Sequence, residues 1–437
     1  MAERNRVDAS RLAAYDVLKA VRLDDAYANL ALPQVLAEHK LAGRDAAFTT
    51  ELVSGTIRGQ GTYDAIIDAC LTKPKLEAKV RDALRLGVHQ LLAMRVPDHA
   101  AISTSVDLVR ARVGVGPTGF TNAVLRKVSA HDLDDWIRRV APDPTKDPVG
   151  FASIAYSHPR WVVEALDEAL DTTAELPALL AADNAAPRVM LVARPGLSTV
   201  EELVAAGGVR GTLSPYAVEL TGGDPAAVPA VVEGRAGVQD EGSQLVALAL
   251  VEADLDGRDE RWLDVCAGPG GKSALLAALA ARQGAHLLAN ELQHHRARLV
   301  ARGTRTASAG LSGLVTGDGT RPPWREDTFD RVLVDAPCSG LGALRRRPES
   351  RWRRTPQDLD VLVPLQRRLL ENAIASTRPG GVVVYATCSP VLAETTGVVE
   401  AVLSSRGDAR LEGTRQLWPH RDGTDAMFIA TIRRSRA

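Results

Sequence analysis

The chain has 437 residues, too many for one hydrophobic core, so the sequence predicts several domains. Hydrophobic residues make up 45% and charged residues 24% of the chain, as in an ordinary globular protein, and no apolar stretch is long enough to span a membrane. A formal net charge of −1 excludes a uniformly basic nucleic-acid binder but allows a local basic surface. The charged N-terminus lacks a signal segment, and four widely spaced cysteines indicate neither disulfides nor a zinc site. We therefore expect a cytoplasmic protein, monomeric and without a metal or membrane contact.

The first 250 residues predict two structural classes in succession. Residues 1–140 have apolar residues at helical spacing and predict an all-helical domain. Residues 141–150 are rich in proline and short polar residues, which is typical of a linker. Residues 151–250 predict a small mixed α/β subdomain, with a strand at 189–193 and a helix at 199–206.

Residues 251–437 alternate between apolar strands and amphipathic helices. This alternation predicts a doubly wound, mostly parallel sheet covered on both faces, as in Rossmann-like α/β folds. The last strand is expected at an edge. Predicted strands are 262–266, 287–291, 314–316, 331–335, 382–387 and 428–433, and predicted helices are 272–281, 294–301 and 364–376.

A glycine-rich loop, Asp264–Ser273, joins the first strand of this sheet to its first helix. Glycines let the backbone approach a ligand, and a helix N-terminus offers free N–H donors. The loop departs at one position from the phosphate loop G-x-x-x-x-G-K-[ST], with Cys266 in place of the first glycine, and residues 332–335 could then hold magnesium in an NTPase. The alternatives are a site for S-adenosyl-L-methionine, a methyl donor, or glycines with a purely structural role.

Two acidic residues favour the methyl donor. Such a site needs an acid on the next strand for ribose hydroxyls, and Glu291 ends that strand. Asp318 follows the third strand and is placed to meet an adenine edge. Lys272 is the only lysine after residue 146, which suggests that a compact positive charge is needed in the loop.

Two cysteines, Cys338 and Cys388, each follow a predicted buried strand, so both thiols could lie at the same rim of the sheet. Carbon 5 of a pyrimidine accepts a methyl group only after a thiolate adds to carbon 6 and turns the ring into an enamine. That chemistry needs a nucleophilic cysteine, a group that contacts the base, and a second group for release of the product. Cys388, Cys338 and Asp335 can supply these groups, but the residues alone do not order the two thiols.

Three loops, 264–272, 335–340 and 386–389, resemble the signature loops of the RsmB/NOP family of RNA (cytosine-5) methyltransferases, and more closely its bacterial 16S rRNA branch of the RsmB (Sun/Fmu) type. Segments 81–95 and 119–126 are similar to the NusB-like RNA-binding domain of that branch. The resemblance implies a class I methyltransferase domain in which Cys388 is the nucleophile, Cys338 serves product release and Asp335 contacts the base. It also implies these cofactor-binding residues: Cys266, Ala267, Gly268, Pro269, Gly270, Gly271, Lys272, Glu291, Asp318 and Asp335.

An arginine-rich segment follows the Cys338 loop, with six arginines and one tryptophan between residues 344 and 354. Arginines bind phosphates and a tryptophan can stack on a base, although a solvated charged surface is the commoner role of such a run. The sequence therefore predicts RNA contacts at Arg345, Arg346, Arg347, Arg351 and Trp352. Transfer RNA as the substrate, and a non-catalytic RNA-binding assembly factor, remain open as alternatives to an rRNA enzyme.

Overall fold

The computed structural model describes residues 7–72 and 75–435, which form two compact units. The helical unit consists of residues up to 185 together with residues 344–353. The sheet unit consists of residues 186–343 and residues from 354 onward. Within the described ranges, no helix is long and apolar enough to cross a membrane.

The helical unit confirms the all-helical prediction for the N-terminal part of the chain. Apolar residues at helical spacing are buried there as expected, including Ala13, Val17 and Leu84 at 0% exposure. The α-helices that the structure describes before residue 186 are α1 (Ala9–Leu23), α2 (Ala28–Glu38), α3 (Gly43–Arg58), α4 (Gln60–Cys70), α5 (Ala78–Leu92), α6 (Asp98–Arg112), α7 (Thr118–Val128), α8 (Leu133–Val140), α9 (Pro148–Ala155), α10 (Arg160–Ala169) and α11 (Leu176–Asp183).

The segment predicted as a linker is folded into this unit. Asp147 caps α9 by accepting a hydrogen bond from Gly150 N at 2.9 Å, and Pro148 occupies the first turn. Gly61 N donates to Ser157 Oγ at 2.8 Å, which ties the chain after α9 to α4. The proline and short polar residues that suggested a linker thus start a helix, and the boundary of the compact unit falls after residue 185.

The sheet unit begins with a small antiparallel sheet of strand order β2-β3-β1-β4. β1 matches the strand predicted at 189–193, and α12, whose N-cap is Thr199, matches the helix predicted at 199–206. The elements are β1 (Val189–Ala193), α12 (Val200–Ala205), β2 (Gly208–Arg210), β3 (Ala217–Leu220), α13 (Pro229–Val232), β4 (Ala236–Val238) and α14 (Glu241–Glu252).

A seven-stranded sheet follows, of order β10-β11-β9-β8-β5-β6-β7. The five strands from β9 to β7 are parallel, and β11 and β10 add an antiparallel pair at one side. The expectation that the last strand is the edge is wrong, because β11 pairs with both β9 and β10 and leaves β10 outermost. The strands and helices of this part of the chain are β5 (Arg261–Asp264), α15 (Gly271–Gln283), β6 (His286–Glu291), α16 (His294–Thr304), β7 (Leu311–Thr316), β8 (Phe329–Asp335), α17 (Ser350–Arg353), α18 (Asp358–Ser376), β9 (Thr377–Thr387), α19 (Thr396–Ser404), β10 (Ala409–Gln416), α20 (Pro419–Asp422) and β11 (Phe428–Arg434). Of these elements, α17 belongs to the helical unit.

Alternate residues of β9 enter two different cores, one on each face of this sheet. Val382 and Val384 pack with α14 and α15, whereas Val383 and Tyr385 pack with α18 and α19. The doubly wound, mostly parallel sheet is thus confirmed. Because the carboxyl ends of parallel strands share one rim, the loops after β5, β6, β7, β8 and β9 all open there.

Candidate functional site

The two cysteines meet at this rim. β8 and β9 are neighbouring parallel strands with Asp335 opposite Ala386, and Ala336 N donates to Ala386 O at 2.8 Å just beyond the strand end. The chain then turns, and Cys338 Sγ lies 3.4 Å from Cys388 Sγ. Both side chains are partly exposed, and the two cysteines are not joined by a disulfide. The prediction that they lie together at one edge of the sheet is confirmed by this distance.

The two thiols differ in their electrostatic surroundings. The hydrogen bond with Cys388, burial, and the nearby Glu394 carboxylate raise the pKa of Cys338 well above its usual value. Cys338 is therefore a protonated thiol at neutral pH. Either sulfur can donate in this contact, and a protonated Cys338 that donates toward Cys388 would stabilise negative charge on the second sulfur.

Lys272 and Asp335 form an ion pair beside the thiols, with Nζ 2.8 Å from Oδ2. Burial alone would lower the pKa of Lys272, but the Asp335 carboxylate and then Cys388 outweigh it, so the pKa is raised. The lysine that the sequence singled out therefore stays charged and acts on the Cys388 sulfur. Its pairing with Asp335 could not be predicted from the glycine-loop motif.

The glycine loop needs its glycines for close packing. Gly270 has φ +108°, and a Cβ there would lie 2.9 Å from Val300 Cα, so a side chain is excluded. A Cβ on Gly268 would lie 2.1 Å from Glu291 Oε2. Gly271, by contrast, is exposed at the start of α15, and a Cβ there would meet nothing nearer than 3.9 Å. The helix N-terminus thus opens to free space at the rim.

Cys266, inside this loop, is not part of the thiol pair. Burial raises its pKa well above the usual value, and its side chain packs against the core that contains Val265. The sulfur is thus a packing group.

Glu291 and Asp318 lie at the ends of the next two strands. Glu291 is buried, and it accepts hydrogen bonds from Gly268 N at 2.9 Å and Gln293 N at 3.0 Å. Asp318 is exposed, and its hydrogen bonds from the Thr320 hydroxyl and backbone N–H lower its pKa. One carboxylate is therefore built into the loop, and the other faces solvent beside it.

Three residues of the site were missed in the sequence analysis. Arg296 Nη2 donates to Gly268 O at 2.8 Å, and its position in the first turn of α16, directly after the strand that Glu291 ends, was the available signal. Asp264, at the end of β5, accepts from Ser273 Oγ at 2.6 Å, and burial raises its pKa to about 7. Glu394 is buried behind the cysteine loops and belongs to no recognisable motif.

These groups fit an adenosyl ligand. The open N-terminus of α15 and the glycine backbone can approach polar ligand atoms, and carboxylates follow at the ends of β6 and β7. Glu291 and Asp318 are the acceptors that would hold ribose hydroxyls and an adenine amine. Within the described ranges, no group of three or more His, Cys, Asp or Glu side chains could hold a metal ion.

The arginine-rich segment up to Arg353 lies in the helical unit, where its members are largely anchored. Arg351 is 0% exposed and donates to Asn184 Oδ1 at 2.7 Å and Ser157 O at 3.1 Å. Burial lowers its pKa to about 10. Because its guanidinium is buried and makes these hydrogen bonds, Arg351 is not available to bind an RNA phosphate.

The remaining members differ in exposure. Arg345 is 6% exposed, and Trp352 Nε1 donates to Ile57 O at 3.3 Å while its ring packs on the core of α1 and α3. Arg346 is half-buried. Arg347 is exposed, with its guanidinium 5.0 Å from the ring centre of Tyr27. Of the five predicted RNA contacts, the structure leaves only Arg347 well exposed.

Comparison with known proteins identifies both parts of the chain. Residues 253–433 match the family model "16S rRNA methyltransferase RsmB/F", and residues 8–130 match the NusB family. The protein named "Putative methyltransferase Rv1407" of Mycobacterium tuberculosis (strain H37Rv) is 49% identical over 99% of this chain and 98% of its own length. "Probable ribosomal RNA small subunit methyltransferase B" of Bacillus subtilis (strain 168) is 30% identical over 96% of this chain and 98% of its own length.

Solved structures share the fold. The crystal structure of PH0851 superposes with a TM-score of 0.80 at 22% identity, covering 98% of this chain and 99% of that one. NSun6 from Pyrococcus horikoshii with SFG gives a TM-score of 0.55 at 18% identity, over 64% of this chain and 99% of that one. The methyltransferase match decides against the NTPase interpretation of the glycine loop, and S-adenosyl-L-methionine is the cofactor. The chain belongs to the RsmB/F family of 16S rRNA methyltransferases.

Proposed function

We propose that this protein transfers a methyl group from S-adenosyl-L-methionine to carbon 5 of a cytosine in 16S rRNA, through a covalent bond between Cys388 and carbon 6. The observation that carries the proposal is the thiol pair, with 3.4 Å between Cys338 Sγ and Cys388 Sγ. Methylation of an exocyclic amine or of a ribose hydroxyl needs no thiol. Two thiols in contact beside a charged Lys272 are therefore most economically explained by cytosine-5 chemistry.

The pyrimidine must first be activated. Attack of the Cys388 thiolate on carbon 6 forms an S–C bond and moves the ring electrons to carbon 5, which becomes an enamine carbon. The cofactor supplies an electrophilic methyl group. Loss of the carbon-5 proton and cleavage of the S–C bond then restore the aromatic ring and free the enzyme.

The electrostatics of the site support Cys388 as the attacking thiol. Lys272 stays positively charged and interacts with Cys388, which favours a thiolate there. Cys338 has a raised pKa, so it enters the reaction as a thiol that donates toward Cys388. Because the two sulfurs are in contact, Cys338 is within reach of a cytosine bonded to Cys388. Once Cys338 has lost its own proton to solvent, its thiolate can accept the carbon-5 proton as the S–C bond breaks.

Asp335 and Lys272 act together on the base. The Asp335 carboxylate, at the end of β8, accepts from Lys272 and has further lone pairs for the amino group of a cytosine. The target nucleotide must leave its stack to reach this rim, so an unpaired or flipped cytosine is the expected substrate.

Ribosomal rather than transfer RNA is supported by the names of relatives such as the Bacillus subtilis protein, which is similar over 96% of this chain. The test is bisulfite sequencing of total RNA from a strain that lacks the gene. We expect one methylcytosine to be lost from 16S rRNA and restored by the wild-type chain but not by Cys388→Ala. Loss of a transfer-RNA site instead would establish the alternative substrate, and an unchanged methylcytosine profile would refute the proposal.

A further inference from the structure

A buried hydrogen-bonded cluster lies directly behind the two thiols. Glu394, in the turn after β9, is 0% exposed. Its Oε1 accepts from Ser339 N at 2.8 Å and from Gln366 Nε2 at 3.0 Å. Its Oε2 accepts from the hydroxyls of Ser339 and Ser389, at 2.5 and 2.7 Å. One carboxylate thus binds the residue that immediately follows each cysteine.

The cluster joins two loops that are 50 residues apart in the chain. Ser339 Oγ and Ser389 Oγ are themselves 3.0 Å apart. The two serines, like the two cysteines, are 50 residues apart in the chain. On the Cys338 side, Gln366 Nε2 also donates to Pro337 O at 2.9 Å. On the Cys388 side, Gly342 N donates to Cys388 O at 2.9 Å. Hydrogen bonds therefore hold the residues on both sides of Cys338, and Cys388 together with the residue after it.

Stability alone is a poor explanation for this arrangement. A buried carboxylate loses its hydration, and the four donors to Glu394 are all uncharged, so among the residues that the structure describes no ion pair compensates. An apolar side chain would fill the same volume at a lower desolvation cost. What a carboxylate adds is two acceptor oxygens, of which Oε2 binds both loops at once while Oε1 holds the Ser339 backbone and Gln366.

We propose that Glu394 is a positioning residue that clamps the Cys338 and Cys388 loops together, so that their sulfurs are held in contact for cytosine-5 chemistry. The inference rests on the proposed function for its purpose, but the clamp itself can be measured without methyl transfer. The charge of Glu394 also contributes to the raised pKa of Cys338, after the Cys388 hydrogen bond and burial. The same residue thus helps to keep Cys338 protonated while Cys388 faces Lys272.

The test measures how readily the two sulfurs form a disulfide with oxidised glutathione. One thiolate attacks glutathione disulfide and releases one glutathione thiolate, and the second cysteine then displaces the other glutathione, so two electrons pass to glutathione. Peptide mass spectrometry follows the Cys338–Cys388 bond. For Glu394→Ala we expect closure about tenfold slower or worse, and kcat for methyl transfer about a hundredfold lower, with KM for RNA and cofactor nearly unchanged.

Two further variants separate positioning from general damage. Glu394→Gln keeps the length and can still exchange hydrogen bonds with both serine hydroxyls, so we expect closure close to the wild-type rate. Glu400→Ala removes an exposed carboxylate from α19 and should change neither closure nor kcat. If Glu394→Ala does not fold, the double variant Ser339→Ala/Ser389→Ala, which keeps Glu394, must slow closure in its place.

A folded Glu394→Ala protein, or a folded double-serine variant, that closes the disulfide at the wild-type rate would overturn the proposal. If Glu394→Ala closes the disulfide slowly but the wild-type protein does not methylate RNA, the positioning role of Glu394 holds and the proposed function is rejected. The two failures are thus distinguishable, because disulfide closure requires neither RNA nor cofactor.

Discussion

Lys272 and Asp335 form a direct ion pair, with Nζ 2.8 Å from Oδ2, although 63 residues separate them in the chain. The pair joins the glycine loop to the end of β8, so one contact connects the cofactor loop with the thiol loop. The charge of Lys272 depends on this partner, because burial alone would lower its pKa.

Replacing Lys272 by methionine should therefore lower kcat for methyl transfer by about 10²- to 10³-fold, because a fixed charge acting on Cys388 and Asp335 is lost. The measurement is the initial rate of methyl incorporation into 16S rRNA, with thermal unfolding as a check on folding. Lys146→Met, at an exposed lysine of the helical unit, is the matched control and should keep full activity. Full activity in Lys272→Met would contradict the role given to this charge.

Glu291→Ala should weaken S-adenosyl-L-methionine binding by about 10- to 100-fold, because a carboxylate acceptor and its support of the Gly268 backbone are both removed. Titration calorimetry measures this directly in the absence of RNA. Glu326→Ala, at an exposed position before β8, provides the control. An unchanged cofactor affinity in Glu291→Ala would exclude Glu291 from the cofactor site.

Asp264 should make stability depend on pH. Burial raises its folded pKa to about 7, above the ordinary value of 3.8, so the folded state holds this proton more tightly than the unfolded state. The resulting stabilisation is present at low pH and is lost as the pH rises toward 7. Relative to Asp264→Asn, the wild-type free energy of unfolding should fall between pH 5 and 7 by up to about 1.4 kcal/mol per pH unit and level off above that. Urea denaturation of both proteins across this range is the measurement, and a difference that rises with pH would show that the sign is wrong.

Arg351→Met should destabilise the helical unit by about 3 kcal/mol, because buried oxygens of Ser157 and Asn184 lose their donor. Arg347→Ala, at the exposed member of the same segment, should change stability by less than about 0.5 kcal/mol and mainly reduce the salt dependence of RNA binding. Denaturation curves and RNA titrations at two salt concentrations distinguish the two residues. If Arg351→Met instead keeps its stability and binds RNA more weakly, Arg351 contacts RNA as the sequence predicted.

The arginine-rich segment shows where sequence reasoning stops. A run of arginines has the same composition whether it meets phosphates or fills a buried site, and only the packing of Arg351 against Ser157 and Asn184 distinguishes the two. The sequence also failed to predict β10, because most residues of this exposed edge strand are polar and do not alternate with apolar ones.

The catalytic elements were more predictable, because apolar strands and strand-end cysteines leave a strong pattern. Neighbouring parallel strands then bring Cys338 and Cys388 together at one rim. The partners of these residues were not predictable, since Asp335 with Lys272 and Glu394 with two serines are pairings across distant parts of the chain. Such contacts depend on the register of the sheet, which no local motif specifies.

The central claim is that Cys388 bonds covalently to the RNA and that Cys338 is needed for release. The most direct test incubates labelled 16S rRNA and cofactor with each single variant and with the double variant, then separates the products on a denaturing gel. Cys70→Ala, in the helical unit, is the control and should behave as the wild type. We predict that Cys338→Ala accumulates an RNA–protein adduct that resists denaturation, and that Cys388→Ala and the double variant form none. An adduct that persists in Cys388→Ala, or methyl transfer that survives in it, would contradict the account.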